Sequence, residues 1–148
     1  MIAKALFGCK LDTVLIGNAA AALQGVPVTT MDFDFLTRLT DINLRKINRV
    51  ATILRAEIMI IREREVIRLV NEKEGIVIDF IDENYPPGIK SLFSLKSRAD
   101  RLVLDGAEIM VAGLDDILKS KKALARPKDL AIIGLLKDTI DEKKKARQ

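Results

Sequence analysis

The run Ile76-Val77-Ile78-Asp79-Phe80-Ile81 constrains the fold of this chain more than any other segment. Successive side chains of a strand point to opposite faces, so this strand is apolar on both. It must be covered on both faces, which places it inside a sheet packed by helices above and below. Asp79 then needs explaining, because a carboxylate within an apolar strand is costly unless it is paired or bound to a cation. Asp82, one step past the apolar run, marks the strand end.

The rest of the chain reads as alternating elements. A short helix is expected over 1–9, a buried strand over Thr13–Ile16, and an Ala-rich helix from Asn18 to Gln24, ended by Gly25 with Pro27 beyond. Met31–Leu36 alternates apolar and acidic residues and reads as a strand. Asp41–Arg55 is an amphipathic helix with Asp41 as its N-cap. Glu57–Ile61, Glu65–Val70 and Ile76–Ile81 read as strands, the last two joined by a turn at Lys73-Glu74-Gly75. Tyr85-Pro86-Pro87-Gly88 breaks the pattern and leads into a short helix through Leu95. A hairpin follows, Arg101–Leu104 and Glu108–Ala112 about an Asp105-Gly106 turn. Two helices close the chain, one over Asp115–Ala125 and one starting at Pro127. The order αβαβαβββαββαα predicts an α/β (α+β) fold with a mixed central sheet flanked by helices and a C-terminal helical pair. One domain accounts for residues 1–148: a core over about 1–112 and closing helices over about 113–145.

Composition narrows the chemistry. Apolar residues make up 49% of the chain, charged residues 31% and aromatics 4%, so one globular core must be built mainly from Ile, Leu, Val and Ala. There is no His and one Cys, which removes Ser-His and Cys-His nucleophilic pairs, the usual zinc sites and any disulfide framework. Any metal would be held by oxygen ligands, which points to magnesium, manganese or calcium. No apolar run reaches the ~18 residues of a membrane span. The first ten residues lack the pattern of a signal peptide, so the expected location is the cytoplasm, with no membrane partner. The net charge of +4 mildly favours an anionic partner. Much of that excess sits in Lys143, Lys144, Lys145 and Arg147, which read as a solvated helix end. No recognition-helix pattern, zinc finger or aromatic single-strand platform marks a plain nucleic-acid-binding domain.

The acidic strand carries the chemistry. In Met31-Asp32-Phe33-Asp34-Phe35, Asp32 and Asp34 share one face, with Cα atoms about 6.5–7 Å apart, and Phe33 and Phe35 share the other. Two carboxylates so placed repel each other without a cation and can converge on one or two hard metal ions. An Asp-x-Asp pair alone is common on surface strands; its context raises its weight. Upstream, Val14-Leu15-Ile16-Gly17-Asn18 is a strand, a glycine turn and a helix start, where backbone N–H groups can cradle phosphate and Gly17 permits close approach. With Asp79 on a second strand, three carboxylates make a natural two-metal site for phosphoryl transfer.

The stretch IGNAAAALQGVPVTTMDFDFL resembles the opening motif of small nucleotidyltransferases of the polymerase-beta-like fold: strand, glycine followed by Gly or Ser, helix, then a strand with alternating aspartates. More narrowly, the chain resembles the stand-alone prokaryotic group related to abortive-infection and toxin–antitoxin nucleotidyltransferases. IVIDFIDE matches that group's third-carboxylate strand. VAGLDDILKSKKALARPKDLAIIGLL matches its closing helical pair, with Lys121 before an Arg-x-Lys-Asp of Arg126, Lys128 and Asp129. The likeness spans nearly the whole chain. It implies that Asp32, Asp34 and Asp79 are catalytic and bind magnesium or manganese, that Gly17 and Asn18 line the nucleotide phosphates, and that Lys121 and Arg126 meet the NTP. For Lys121, Arg126, Lys128 and Asp129, a helix-end salt-bridge set is an equal alternative. Asn18 stands where the group has Gly or Ser, and Val28 where it often has Arg.

The function so implied is transfer of an NMP from an NTP to a hydroxyl acceptor, which could be tRNA or other RNA, a protein or a small molecule. A toxin–antitoxin role is included, with an antitoxin-like partner or a homodimer completing the acceptor site. The alternative is a catalytically inactive nucleotide-binding or protein-interaction module of the same fold.

Overall fold

In the computed structural model, which describes residues 1–147, the chain forms α1 (Ile2–Gly8), β1 (Val14–Ile16), α2 (Gly17–Leu23), β2 (Asp32–Thr37), α3 (Asp41–Leu54), β3 (Glu57–Arg62), β4 (Val66–Asn71), β5 (Ile76–Asp82), α4 (Leu92–Ser97), β6 (Asp100–Leu104), β7 (Ala107–Val111), α5 (Leu114–Leu124) and α6 (Pro127–Ala146). The element order is the one read from the sequence, with ends displaced by a residue or two.

All seven strands join one mixed sheet in the order β3-β4-β5-β2-β1-β7-β6. β5 is interior, as its two apolar faces require: it runs parallel to β2 and antiparallel to β4. Ile76, Ile78 and Phe80 are buried, and Phe80 stacks on Phe35 with ring centroids 6.0 Å apart. β1 runs antiparallel to β2 and parallel to β7. The hairpin β6–β7 turns through Asp105 (φ 51°) and Gly106 (φ 78°), the left-handed pair that a two-residue loop demands.

Helices pack around this sheet. α1 lies against β7 and α3, α2 against β1 and β2, α4 against β1, and α5 against α6 and α2. α3 buries Ile47, Val50, Ala51 and Leu54 at helical spacing. Its N-cap is Thr40, not Asp41 as expected: Thr40 is extended and its Oγ1 accepts the Asn43 N–H at 3.2 Å. Asp41 is the first helical residue, and its carboxylate pairs with Arg64 at 3.1 Å. Asp82 does end β5, and its two oxygens accept the N–H groups of Leu39 and Asn84. Cys9 is a buried free thiol. Of the basic tail, Lys143, Lys144 and Lys145 lie in the last turn of α6 and Arg147 is its C-cap. Among the described residues no helix is long and apolar enough to cross a membrane.

The registry sorts side chains onto two faces. Asp32, Asp34, Asp79 and Arg68 lie on one, since Asp34 opposes Asp79 and Arg68 opposes Asp79. Phe33, Phe35, Leu15 and Ile78 lie on the other. On that second face, Phe33, Phe35, Leu15, Leu23 and Ile109 line an apolar groove of about 360 Å3.

Candidate active site

The β2–β5 register sets the centre of the site. Asp34 and Asp79 are direct cross-strand neighbours on central strands, and Asp32 is one pleat away on the same face. Asp32 is exposed and its N–H donates to Thr30 Oγ1 at 3.2 Å, which braces the start of β2. Asp34 is half-buried, and among the described residues no side chain forms an ion pair or hydrogen bond with it. Burial, together with the negative charges of Asp79 and Asp32, pushes its pKa up from 3.8 to about 6 against the pull of Lys121 and Arg68. The repulsion anticipated from the sequence is thus present in the folded chain.

β1 brings the glycine turn to the same carboxylate. Ile16 opposes Asp34, and Gly17 follows at φ 71° as the first residue of α2. A Cβ at position 17 would lie 3.0 Å from Asp34 Oδ2, so glycine is favoured by both conformation and space. No side chain caps the first turn of α2. Asn18 follows, with its Oδ1 buried and without a hydrogen-bond partner, a state that carries a cost unless a ligand or water meets it. Beside the expected donor role of its amide there is thus an acceptor without a donor among the described residues.

Asp79 is not free. Arg68 grips both of its oxygens, from Nε at 2.8 Å and Nη2 at 3.0 Å, a bidentate pair of the strong kind. Arg68 escaped the sequence reading. The signal was available, as Val66-Ile67-Arg68-Leu69-Val70 places a lone cation in an apolar strand, which demands an acidic partner as Asp79 demands a basic one.

The closing helices supply a second charged wall. Asp129 is fully buried and takes Lys121 Nζ at 3.3 Å, Arg126 Nε at 2.6 Å, Arg126 Nη2 at 3.1 Å and the Arg126 N–H at 3.2 Å. The Arg126 hydrogen bonds, with Lys121, hold its pKa down at about 2. The salt-bridge reading is therefore realised for Lys121, Arg126 and Asp129, while Lys128 makes no ion pair among the described residues. The other reading is not displaced by it, because Lys121, Arg126 and Lys128 also line the cavity that contains Asp32, Asp34 and Asp79. That cavity measures about 420 Å3, and Gly17, Asn18, Tyr85 and Pro86 complete its walls. The Tyr85-Pro86-Pro87 segment, read only as a break in the pattern, forms part of the rim. Val28 is not among the lining residues; it packs against the core.

Carboxylates on one wall and cations on the other suit a polyanion carried with a divalent cation. The oxygen donors and the strained charge of Asp34 fit a hard metal. Among the described residues, however, no three carboxylate or thiol side chains converge closely enough to hold a metal as they stand. Asp79 would have to exchange Arg68 for the metal.

No protein-family profile matches the chain, and no curated protein matches it in sequence. Its fold has solved relatives. A putative nucleotidyltransferase from Thermotoga maritima superposes with a TM-score of 0.61 at 19% identity, over 95% of this chain and 89% of that one. An antigenic nucleotidyltransferase-like protein from Paracoccidioides brasiliensis gives 0.58 at 18% identity, over 91% of this chain and 71% of that one. The chain has the nucleotidyltransferase fold.

Proposed function

We propose that this chain is a divalent-cation-dependent nucleotidyltransferase that moves an NMP from an NTP to a hydroxyl acceptor. The acceptor oxygen bonds to the α-phosphorus, the bond to the pyrophosphate leaving group breaks, and the hydroxyl proton is lost. The observation that carries this reading is the meeting of Asp34 and Asp79, on adjacent strands, with Gly17 at the start of α2 beneath one cavity with a cationic wall. Asp32, Asp34 and Asp79 would hold magnesium or manganese, which supplies neutralisation of the triphosphate and activation of the hydroxyl. Gly17 keeps the backbone close to the carboxylates, the Asn18 NH2 group would donate to a phosphate while its Oδ1 accepts from a nucleotide hydroxyl or water, and Lys121 and Arg126 draw the phosphates. The acceptor is RNA, a protein or a small molecule, and the toxin–antitoxin role belongs to this reading if an antitoxin-like partner is encoded beside it.

A second reading has its own support. The Arg68–Asp79 pair occupies the third ligand, Asn18 fills part of the cradle, and position 28 offers no cation. These favour an inactive nucleotide-binding or interaction module. One experiment separates the two: labelled NTPs, magnesium or manganese and cellular RNA or lysate are incubated with wild type, Asp32→Ala/Asp34→Ala, Asp79→Ala and Arg68→Ala. Label transfer lost in the carboxylate variants supports the enzyme. In the same set, Arg68→Ala is expected to bind manganese several-fold more tightly because Asp79 is released. Metal-dependent NTP binding that survives intact in the double mutant would sink the site assignment, and absence of transfer with every NTP supports the module.

A further inference from the structure

β3 is a free edge of the sheet. All six residues Glu57–Arg62 are exposed, and four in succession are large and apolar: Ile58, Met59, Ile60 (70% exposed) and Ile61. The strand carries neither Pro nor Lys, devices that commonly blunt an edge. The opposite edge, β6, is different: its exposed residues Asp100, Arg101 and Val103 are mostly charged.

The ends of β3 carry opposite charges, and its irregularity makes them self-complementary. Ile60 opposes Ile67 while Arg62 opposes Val66, so Ile61 is an extra residue in the strand. Glu57, Met59 and Arg62 therefore pair with Val70, Arg68 and Val66, on the face that carries Asp79. Ile58 and Ile60 pair with Leu69 and Ile67, on the other face. Two copies of an edge strand related by a two-fold axis normal to the sheet run antiparallel and keep their faces, so a residue can oppose only one from its own face. With Met59 on the axis, Met59 meets its own copy, Ile58 meets the second copy's Ile60, and Glu57 meets the second copy's Arg62. Without the extra residue, Glu57 and Arg62 would fall on opposite faces and could not meet. Glu57 makes no ion pair among the described residues, while Arg62 gives its Nε to Glu65 at 2.7 Å and lays its guanidinium over the Tyr85 ring, 5.4 Å from the centroid, which leaves its terminal nitrogens without a hydrogen bond among the described residues.

We propose that β3 is a homodimer interface, in which a second copy of this chain adds its own β3 antiparallel across Met59. The seven-stranded sheet then continues through the axis, and the cavities of both copies open on the same side. The inference uses no residue of the cavity and does not depend on the catalytic reading.

Light scattering on the full chain should give twice the 16.5 kDa of one chain, and Ile60→Lys should return it to the single mass. Mild oxidation should cross-link Met59→Cys, whose copies are cross-strand neighbours within about 5 Å, but not Ile60→Cys. Glu57→Arg and Arg62→Glu should each weaken the dimer at least tenfold, and the double exchange should restore it. Circular dichroism verifies the fold of each variant, and the cysteine pair decides if a charge variant unfolds. A monomeric wild type at micromolar concentration, a dimer untouched by Ile60→Lys, or equal cross-linking of the two cysteine variants overturns the proposal.

Discussion

Replacing Asp34 by Asn should stabilise the metal-free protein. The folded-state pKa of Asp34 is about 6 against 3.8 for an unperturbed group. A shift of about 2 units corresponds to roughly 3 kcal/mol at ~1.4 kcal/mol per unit. The sign follows from linkage: a carboxylate whose folded pKa is raised costs nothing below its unfolded pKa, where both states are protonated. The cost grows as pH rises from 3.8 and is complete above about 6. Asn is uncharged and of similar shape, and among the described residues Asp34 makes no side-chain hydrogen bond whose loss would offset the gain. For a domain of this length, 3 kcal/mol amounts to roughly 6–12 °C in Tm. The assay is thermal unfolding of wild type and Asp34→Asn with chelator, at pH 8 and again at pH 4. The variant should melt higher at pH 8, and the difference should largely vanish at pH 4. Added magnesium or manganese should raise the Tm of wild type but not of the variant. A variant no more stable than wild type at pH 8 would refute the claim that Asp34 sits among uncompensated negative charge.

Two further outcomes test the walls of the cavity. Asp129→Ala strands Lys121, whose side chain is 9% exposed, and frees Arg126; urea unfolding should show a loss of about 3–5 kcal/mol, as expected for a broken buried pair. Since Asp129 has a pKa lowered to about 2, its share of stability is present above 3.8 and lost as pH falls through 2, so the variant's stability should be flatter over that interval; a loss under roughly 1 kcal/mol, the value of a surface pair, contradicts the structure. Gly17→Ala must place a Cβ 3.0 Å from Asp34 Oδ2 at φ 71°; it should cost about 1–2 kcal/mol and weaken manganese-dependent NTP binding at least tenfold in calorimetry, and wild-type affinity would remove Gly17 from the site.

The central sheet was legible because its patterns are local. The two-faced apolar run of β5, the alternation of β2 and the Asp-Gly turn each fix an element with little help from the rest of the chain. The carboxylates were legible for the same reason: a charge in such a strand stands out. What pairs with them was not. Arg68 opposes Asp79 only once β4 and β5 are in register, and one residue of slip would have sent the guanidinium to the other face. The double duty of Lys121 and Arg126, bound to Asp129 yet facing the cavity, depends on where α5 and α6 dock. Thr40 took the cap from Asp41 because either side chain type can cap a helix, and backbone conformation decides between them.

Phe33 and Phe35 alternate with Asp32 and Asp34 on a strand of six residues, and this couples two environments in a single piece of backbone. The aromatic pair is wedged into the apolar side of the sheet, where Phe35 leans on Phe80. The pitch between the carboxylates is thus set from behind, by rings that no nucleotide reaches. A substitution at Phe33 or Phe35 that lets β2 settle or lift would move both acids together, and a change on the apolar side of the sheet would be felt on the cavity side as a change in carboxylate spacing.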